Sequence, residues 1–225
     1  MANSPKQRYG WRAPFVHLAA ATAGLMAAPT IAASRAPLVW AFGDSLTAGY
    51  GLPPAQGFVP RLQAALRQAG VEATVRNGGV SGDTAAQARA RLKWGLRGLG
   101  AKPDLVIVEL GANDMLRGLP VGQARGNLDG ILAEFAARGI PVLLAGMRAA
   151  PNLGSEYGRA FDAMYPSLAR ARRTALYPFF LAGVAGRRDL IQADGLHPNA
   201  RGVDVIVSRI APVVAQALRR SEPAD

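Results

Sequence analysis

From residue 38 onward, short apolar runs alternate with longer amphipathic stretches, and this rhythm restricts the fold more than any other feature of the chain. Residues 38–42 (LVWAF), 71–76, 105–110 (LVIVEL), 141–146 (PVLLAG) and 175–179 read as five strands. Helical spacing fills the gaps. Residues 58–69 place Leu62, Ala65, Leu66 and Ala69 on one face and stop at Gly70, and residues 84–99 do the same with Ala85, Ala88, Leu92 and Leu96. Residues 121–138 carry Leu128, Ile131, Leu132 and Phe135 before Gly139, a C-terminal signal; residues 157–173 and 200–219 complete the set. Strands apolar throughout, each followed by a helix, predict a parallel sheet covered on both faces. The 225 residues suffice for one such domain and a leader, with no internal repeat or interdomain linker.

The leader is expected at residues 1–33. Lys6, Arg8 and Arg12 precede an apolar stretch at 13–30, and small residues follow at Ala32, Ala33 and Ser34. That order is the composition of a secretory signal. The alternative is a retained anchor, but Pro14, His17 and Pro29 interrupt the stretch, which falls short of the ~20 residues a spanning helix needs. Cleavage near Ala33 would make the protein periplasmic or secreted.

There is no cysteine, which excludes a disulfide framework, a thiolate metal site and a cysteine nucleophile. The two histidines are His17 and His197, so only His197 would remain after cleavage, too few for a multi-histidine metal centre. The net charge is +11, of which Lys6, Arg8 and Arg12 supply three, leaving +8. Such an excess leaves peripheral contact with an anionic membrane surface open. The arginines are scattered and not interleaved with aromatics, as a single-strand binder would require, so no nucleic acid partner is expected.

Chemistry-bearing residues collect just after the predicted strands, where open α/β sheets bind ligands. Ser45 lies in Gly43-Asp44-Ser45-Leu46-Thr47. A helix starting there would aim N–H groups at developing negative charge, although a serine in this place also serves as a helix cap. Gly-x-Ser-x-Gly, the nucleophile elbow of α/β-hydrolases, is absent. A serine hydroxyl needs a base, and His197 is the candidate. Asp194, three residues earlier in Asp194-Gly195-Leu196-His197-Pro198, could take the Nδ1 proton and leave Nε2 for Ser45. A surface loop with an Asp cap is the other reading of that segment. The Asn113 amide and the N–H groups of Gly82 and Ser45 could form an oxyanion hole; separately, Asn113 and Gly82 also suit turns. Asp44, Asp83 and Asp114 are expected to bond neighbouring backbone N–H groups in a structural role.

The ordered set Gly43-Asp44-Ser45-Leu46, Ser81-Gly82-Asp83-Thr84, Gly111-Ala112-Asn113-Asp114 and Asp194-Gly195-Leu196-His197-Pro198 resembles the four blocks of the SGNH (GDSL) hydrolases. More narrowly, it is similar to their bacterial periplasmic thioesterase, lysophospholipase and arylesterase group. Longer matching text occurs at residues 42–50 and 108–118, and shorter matches at Tyr165-Pro166 and Pro178-Phe179-Phe180. The resemblance implies a three-layer α/β/α sandwich with a five-stranded parallel sheet, flavodoxin-like in kind. It implies Ser45, Asp194 and His197 as the catalytic triad, and Ser45, Gly82 and Asn113 as the oxyanion hole. It further implies that the loop 115–120 lines an acyl pocket, read here as contacts from Met115, Leu116, Leu119 and Pro120; a loop packed on its own core is the other reading. Tyr50, Leu52 and Phe58 are candidates for the opposite wall. The substrate would be a small-molecule or lipid ester, with no metal and no cofactor. One departure stands out, Ala112 in place of the usual second glycine. Two rivals remain at this point: a carbohydrate or peptidoglycan O-acetylesterase of the same fold, and a non-catalytic binding module, for which neither Gly-x-Gly-x-x-Gly nor a Walker loop is present.

Overall fold

A computed structural model describes residues 1–4, 10 and 35–221. The chain divides into Met1–Ser34 and Arg35–Asp225; nearly all of the first unit, including His17 and the proposed cleavage region, lies outside the described residues.

The second unit carries five parallel strands: β1 (Leu38–Gly43), β2 (Thr74–Gly79), β3 (Leu105–Glu109), β4 (Val142–Ala145) and β5 (Ala175–Tyr177), in the order β2-β1-β3-β4-β5. Seven helices accompany them among the described residues: α1 (Ser45–Ala48), α2 (Phe58–Gln68), α3 (Ala85–Gly98), α4 (Ala112–Leu116), α5 (Val121–Ala137), α6 (Ser155–Arg172) and α7 (Ala200–Ser221). The step from β1 to β2 runs one way across the sheet and the later steps run the other way. With right-handed crossovers, α2 must then lie on the opposite face from α3, α5 and α6. The packing agrees: α2 meets α7, while α3 meets α5 and α5 meets α6. The result is the three-layer sandwich the alternation predicts, in the flavodoxin-like strand order.

All residues of β1, β3 and β4 are buried, which explains why they read as unbroken apolar runs. Trp40, Phe42 and Phe135 pack as one aromatic group, with Phe42 and Phe135 edge to face at 6.2 Å. The helix ends follow local chemistry. Thr84 and Gln87 cap each other at the start of α3, the reciprocal arrangement that satisfies two orphan N–H groups.

One strand differs from expectation. The apolar text places β2 at 71–76, but it runs Thr74–Gly79 and pairs Asn77, Gly78 and Gly79 with Ala41, Phe42 and Gly43. Asn77-Gly78-Gly79 is therefore strand and not turn. The glycines answer to packing: a Cβ on Gly78 would lie 2.2 Å from Trp40 Nε1, and one on Gly79 would lie 2.3 Å from the Ala48 nitrogen. Their bareness lets α1 settle against the strand.

Candidate active site

The chain leaves β1 and β3 toward opposite faces of the sheet, which opens a crevice at the carboxyl ends of these two neighbouring strands. Ser45 opens α1 directly after β1, and Asn113 lies in α4 directly after β3. Asp44 caps α1 by accepting from the Leu46 N–H at 3.0 Å. The loop before α7 brings the third part, folded by Asp194: its Oδ1 accepts from the N–H groups of Leu196 at 2.9 Å and His197 at 3.0 Å.

These elements meet in one line of hydrogen bonds. His197 Nδ1 is 2.6 Å from Asp194 Oδ2, and His197 Nε2 is 2.9 Å from Ser45 Oγ. The Asp194 carboxyl sits at about 2, below the usual carboxylate range, because the Leu196 N–H, the His197 ring and the His197 N–H all bond its ionised form. A permanent carboxylate on Nδ1 fixes the tautomer that presents Nε2 as an acceptor to the serine hydroxyl. The Tyr50 ring covers the imidazole at 4.6 Å between centroids.

Gly82 occupies the third position of a turn closed by the Asp83 N–H on the Val80 carbonyl at 3.2 Å. Its φ of 86° is the value that position demands of a glycine in a type II turn. Neither the Ser45 N–H nor the Gly82 N–H has an acceptor among the described residues. Asn113 is differently placed: its amide nitrogen donates to Asp44 Oδ2 and to the Asp83 carbonyl, both at 3.1 Å. Both amide hydrogens thus have acceptors, and donation into the crevice requires one to be shared.

Beside Ser45 lies a cavity of about 230 Å³, lined by Tyr50, Ala112, Met115, Leu116, Met147 and Leu181 together with Ser45, Gly82, Asn113 and His197. Met115 is buried and Leu116 half exposed, and both belong to α4 rather than to a loop. Leu119 and Pro120, expected as acyl contacts, do not line the cavity. The Leu119 carbonyl accepts from the Tyr157 hydroxyl at 3.0 Å, and Pro120 precedes α5 as its N-cap, so the tail of this segment serves helix packing. Leu52 and Phe58 line a second, far smaller recess behind Tyr50.

Several contributors escaped the sequence reading. Met147, Leu181 and Leu196 line the cavity from separate segments, with no signal in the residue order beyond being apolar. Arg91 bonds the Asp83 carboxylate and the Gly43 carbonyl, the latter at 2.9 Å, while stacking over Phe42 at 4.5 Å; it ties the end of β1 to the Gly82 turn. Arg117 holds the Gly82 carbonyl at 2.7 Å. Glu109 is fully buried at the end of β3; an acid inside an apolar run was the one available clue. Asp44 and Asp114 accept from backbone N–H groups as expected, Asp114 from Ala85 at 2.8 Å; Asp83 departs from that expectation, its carboxylate bonding the Arg91 guanidinium instead.

The family model for GDSL-like lipases and acylhydrolases matches residues 41–205. The chain belongs to that family. Among curated relatives of this GDSL chain, the esterase TesA of Pseudomonas aeruginosa is 40% identical over 176 residues, covering 78% of this chain and 87% of the relative. The thioesterase 1/protease 1/lysophospholipase L1 of Escherichia coli K12 is 36% identical over 191 residues, covering 85% and 86%. The crystal structure of AlinE4, an SGNH-hydrolase family esterase, is 51% identical with a TM-score of 0.71, covering 86% of this chain and all of that one (100%). This GDSL protein is a serine hydrolase with esterase function, acting on small-molecule esters.

Proposed function

We propose that the protein hydrolyses carboxylic esters or thioesters of short to medium apolar acyl chains, through an acyl-enzyme on Ser45. The single observation that carries this is the imidazole of His197, 2.9 Å from Ser45 Oγ and 2.6 Å from Asp194 Oδ2, at the mouth of an apolar cavity. The substrate range follows from the lining. Met115, Met147 and Leu181 offer no polar group to a sugar, and the volume of about 230 Å³ lies below the ~300–1,000 Å³ of drug-sized sites.

In this reading Nε2 of His197 takes the Ser45 proton as Oγ bonds to the acyl carbon. The oxyanion is held by the N–H groups of Ser45 and Gly82 and by the Asn113 amide. His197 returns the proton to the departing alcohol or thiol, and the carbon–oxygen or carbon–sulfur bond breaks. Water then adds with His197 again as base, releasing the acid and restoring Ser45. Asp194 holds the ring and offsets its positive charge.

Residues 1–33 act as a cleaved export signal in this proposal, placing the enzyme in the periplasm or outside the cell, where its positive charge favours peripheral contact with anionic membranes. The test is turnover of the p-nitrophenyl ester series from acetate to palmitate by protein lacking residues 1–33, beside Ser45→Ala. Hydrolysis of butyrate to octanoate esters, absent in Ser45→Ala, is the expected result. A sharp preference for acetate would transfer the reading to an O-acetylesterase, and activity surviving in Ser45→Ala would remove Ser45 as nucleophile.

A further inference from the structure

Glu109 stands apart from every other polar group near the site. It is the last residue of β3, 0% exposed, and paired in register with Gly43 and Ala145 on either side. Its Oε2 accepts from the Thr47 hydroxyl at 2.8 Å, while Oε1 is buried with no hydrogen-bond partner among the described residues. The carboxyl lies directly against the Gly43 backbone: a Cβ on Gly43 would stand 2.1 Å from Thr47 Oγ1 and 2.8 Å from Glu109 Oε2. The shorter of two side-chain bonds from the sheet to α1 therefore passes through the space that Gly43 leaves open; the other runs from the Asn77 amide to the Ala48 carbonyl at 3.4 Å. Burying an acid here costs stability unless the placement is used.

We propose that Glu109 is a positioning residue for the nucleophile: its carboxyl, bonded to the Thr47 hydroxyl across the bare face of Gly43, fixes the four-residue helix that carries Ser45. A helix of this length has too few internal hydrogen bonds to hold itself, so its orientation must come from outside. Thr47 is two residues beyond Ser45 and is itself buried. Holding Thr47 thus sets the direction of both the Ser45 hydroxyl and the Ser45 N–H.

The ionisable groups surrounding Glu109 are Asp44 and Tyr165. Burial first, then the Asp44 charge, pushes the Glu109 carboxyl well above its usual range, against the pull of the Thr47 hydroxyl and the N–H groups of Asp44 and Thr47. Its surroundings therefore favour the protonated carboxyl over the carboxylate.

The inference rests on Ser45 being the nucleophile, and the experiment separates the two. Kinetics of Glu109→Gln, Glu109→Leu and Thr47→Val are measured on a p-nitrophenyl ester, with active sites counted by a fluorophosphonate that labels Ser45. Rates are expressed per labelled site, so loss of folded protein lowers the count and leaves the rate per site alone. Glu109→Gln keeps a neutral acceptor for Thr47 and is expected within about twofold of wild type. Glu109→Leu should lower kcat per site by on the order of 10- to 100-fold with KM little changed. Thr47→Val should give a smaller loss that adds nothing to Glu109→Leu in the double variant. Unchanged kcat per site in Glu109→Leu would overturn the proposal, and so would a Glu109→Gln loss as large as that of Glu109→Leu. An inert, unlabelled wild type would instead overturn the assignment of Ser45.

Discussion

The side-chain amide of Asn113 donates to the carboxylate of Asp44 at 3.1 Å. The candidate oxyanion donor after β3 and the residue immediately before Ser45 are therefore mechanically one unit. Asp44 also caps α1, so a single carboxylate sets both the start of the nucleophile's helix and the aim of an amide from the neighbouring strand. Asn113→Ala is expected to reduce kcat by about 100- to 1,000-fold with little effect on KM. Asp44→Ala should lose part of the same stabilisation, so the two losses should be less than additive in the double variant, as steady-state kinetics of the three would show.

Asp44 also carries a pH signature. Burial raises its carboxyl to about 6 in the folded protein, from 3.8. Between those values the folded state holds a proton that the unfolded state has released, so stability falls as pH rises from about 4 to 6. The full span is worth roughly 3 kcal/mol. Urea denaturation at intervals from pH 4 to 7.5 should show that Asp44→Asn, which retains an acceptor for the Leu46 N–H, gains on the wild type across this window. A constant difference between the two curves would show that Asp44 titrates in the ordinary range.

Asp194 behaves in the opposite sense. Its carboxyl is lowered to about 2 by the bonds from Leu196 and His197, so its contribution to stability is complete above about pH 4 and is lost as pH falls toward 2. Asp194→Asn should therefore be less stable than the wild type at pH 5, with the gap closing by pH 2. At neutral pH the amide would favour the wrong imidazole tautomer and lower kcat by about 10⁴-fold. Loss of less than tenfold would mean that Asp194 does not orient the ring.

Gly111 and Ala112 separate what the family's usual pair of glycines does. Gly111 has φ 109°, and a Cβ there would meet the Tyr165 hydroxyl oxygen at 2.4 Å. That hydroxyl donates to the Leu110 carbonyl at 3.0 Å. Ala112 is the first residue of α4 and tolerates its methyl, which faces the cavity wall. Gly111→Ala should destabilise by more than about 2 kcal/mol through strain and overlap. Ala112→Gly should cost only about 0.5–1 kcal/mol and widen the chain-length range. Thermal melts alongside the ester series would check both.

The cavity wall supplies a further test. Met147 and Leu181 come from segments after β4 and β5 and meet Met115 across the cavity. Leu181→Trp should shift the preferred p-nitrophenyl ester toward acetate while leaving acetate turnover within a few-fold of wild type. An unchanged chain-length profile would locate the acyl chain elsewhere.

Much of this architecture was legible in the residue order because buried parallel strands are written as unbroken apolar runs. β1, β3 and β4 fall within a residue or two of their apolar text. β2 slipped by three residues because its second half is Asn77-Gly78-Gly79, chosen for the closeness of Trp40 and α1 rather than for strand propensity. The positions of Ser45, Asn113, Asp194 and His197 could be read from motifs, since their chemistry demands particular residue types. The cavity could not. Met147, Leu181 and Leu196 meet only after the chain has folded, and Leu119 and Pro120, next to Met115 in sequence, turn out to serve α5 and Tyr157.

Ser45 and His197 are separated by 152 residues along the chain and by 2.9 Å in space. The proposed nucleophile follows the first strand, while its proposed base arrives only with the loop before the last helix, which packs against α2. A polypeptide growing from its amino end therefore carries an inert serine through most of its synthesis. In the proposed mechanism cleaving power switches on only when the final segment docks, so catalysis would double as a certificate that the whole domain has been assembled.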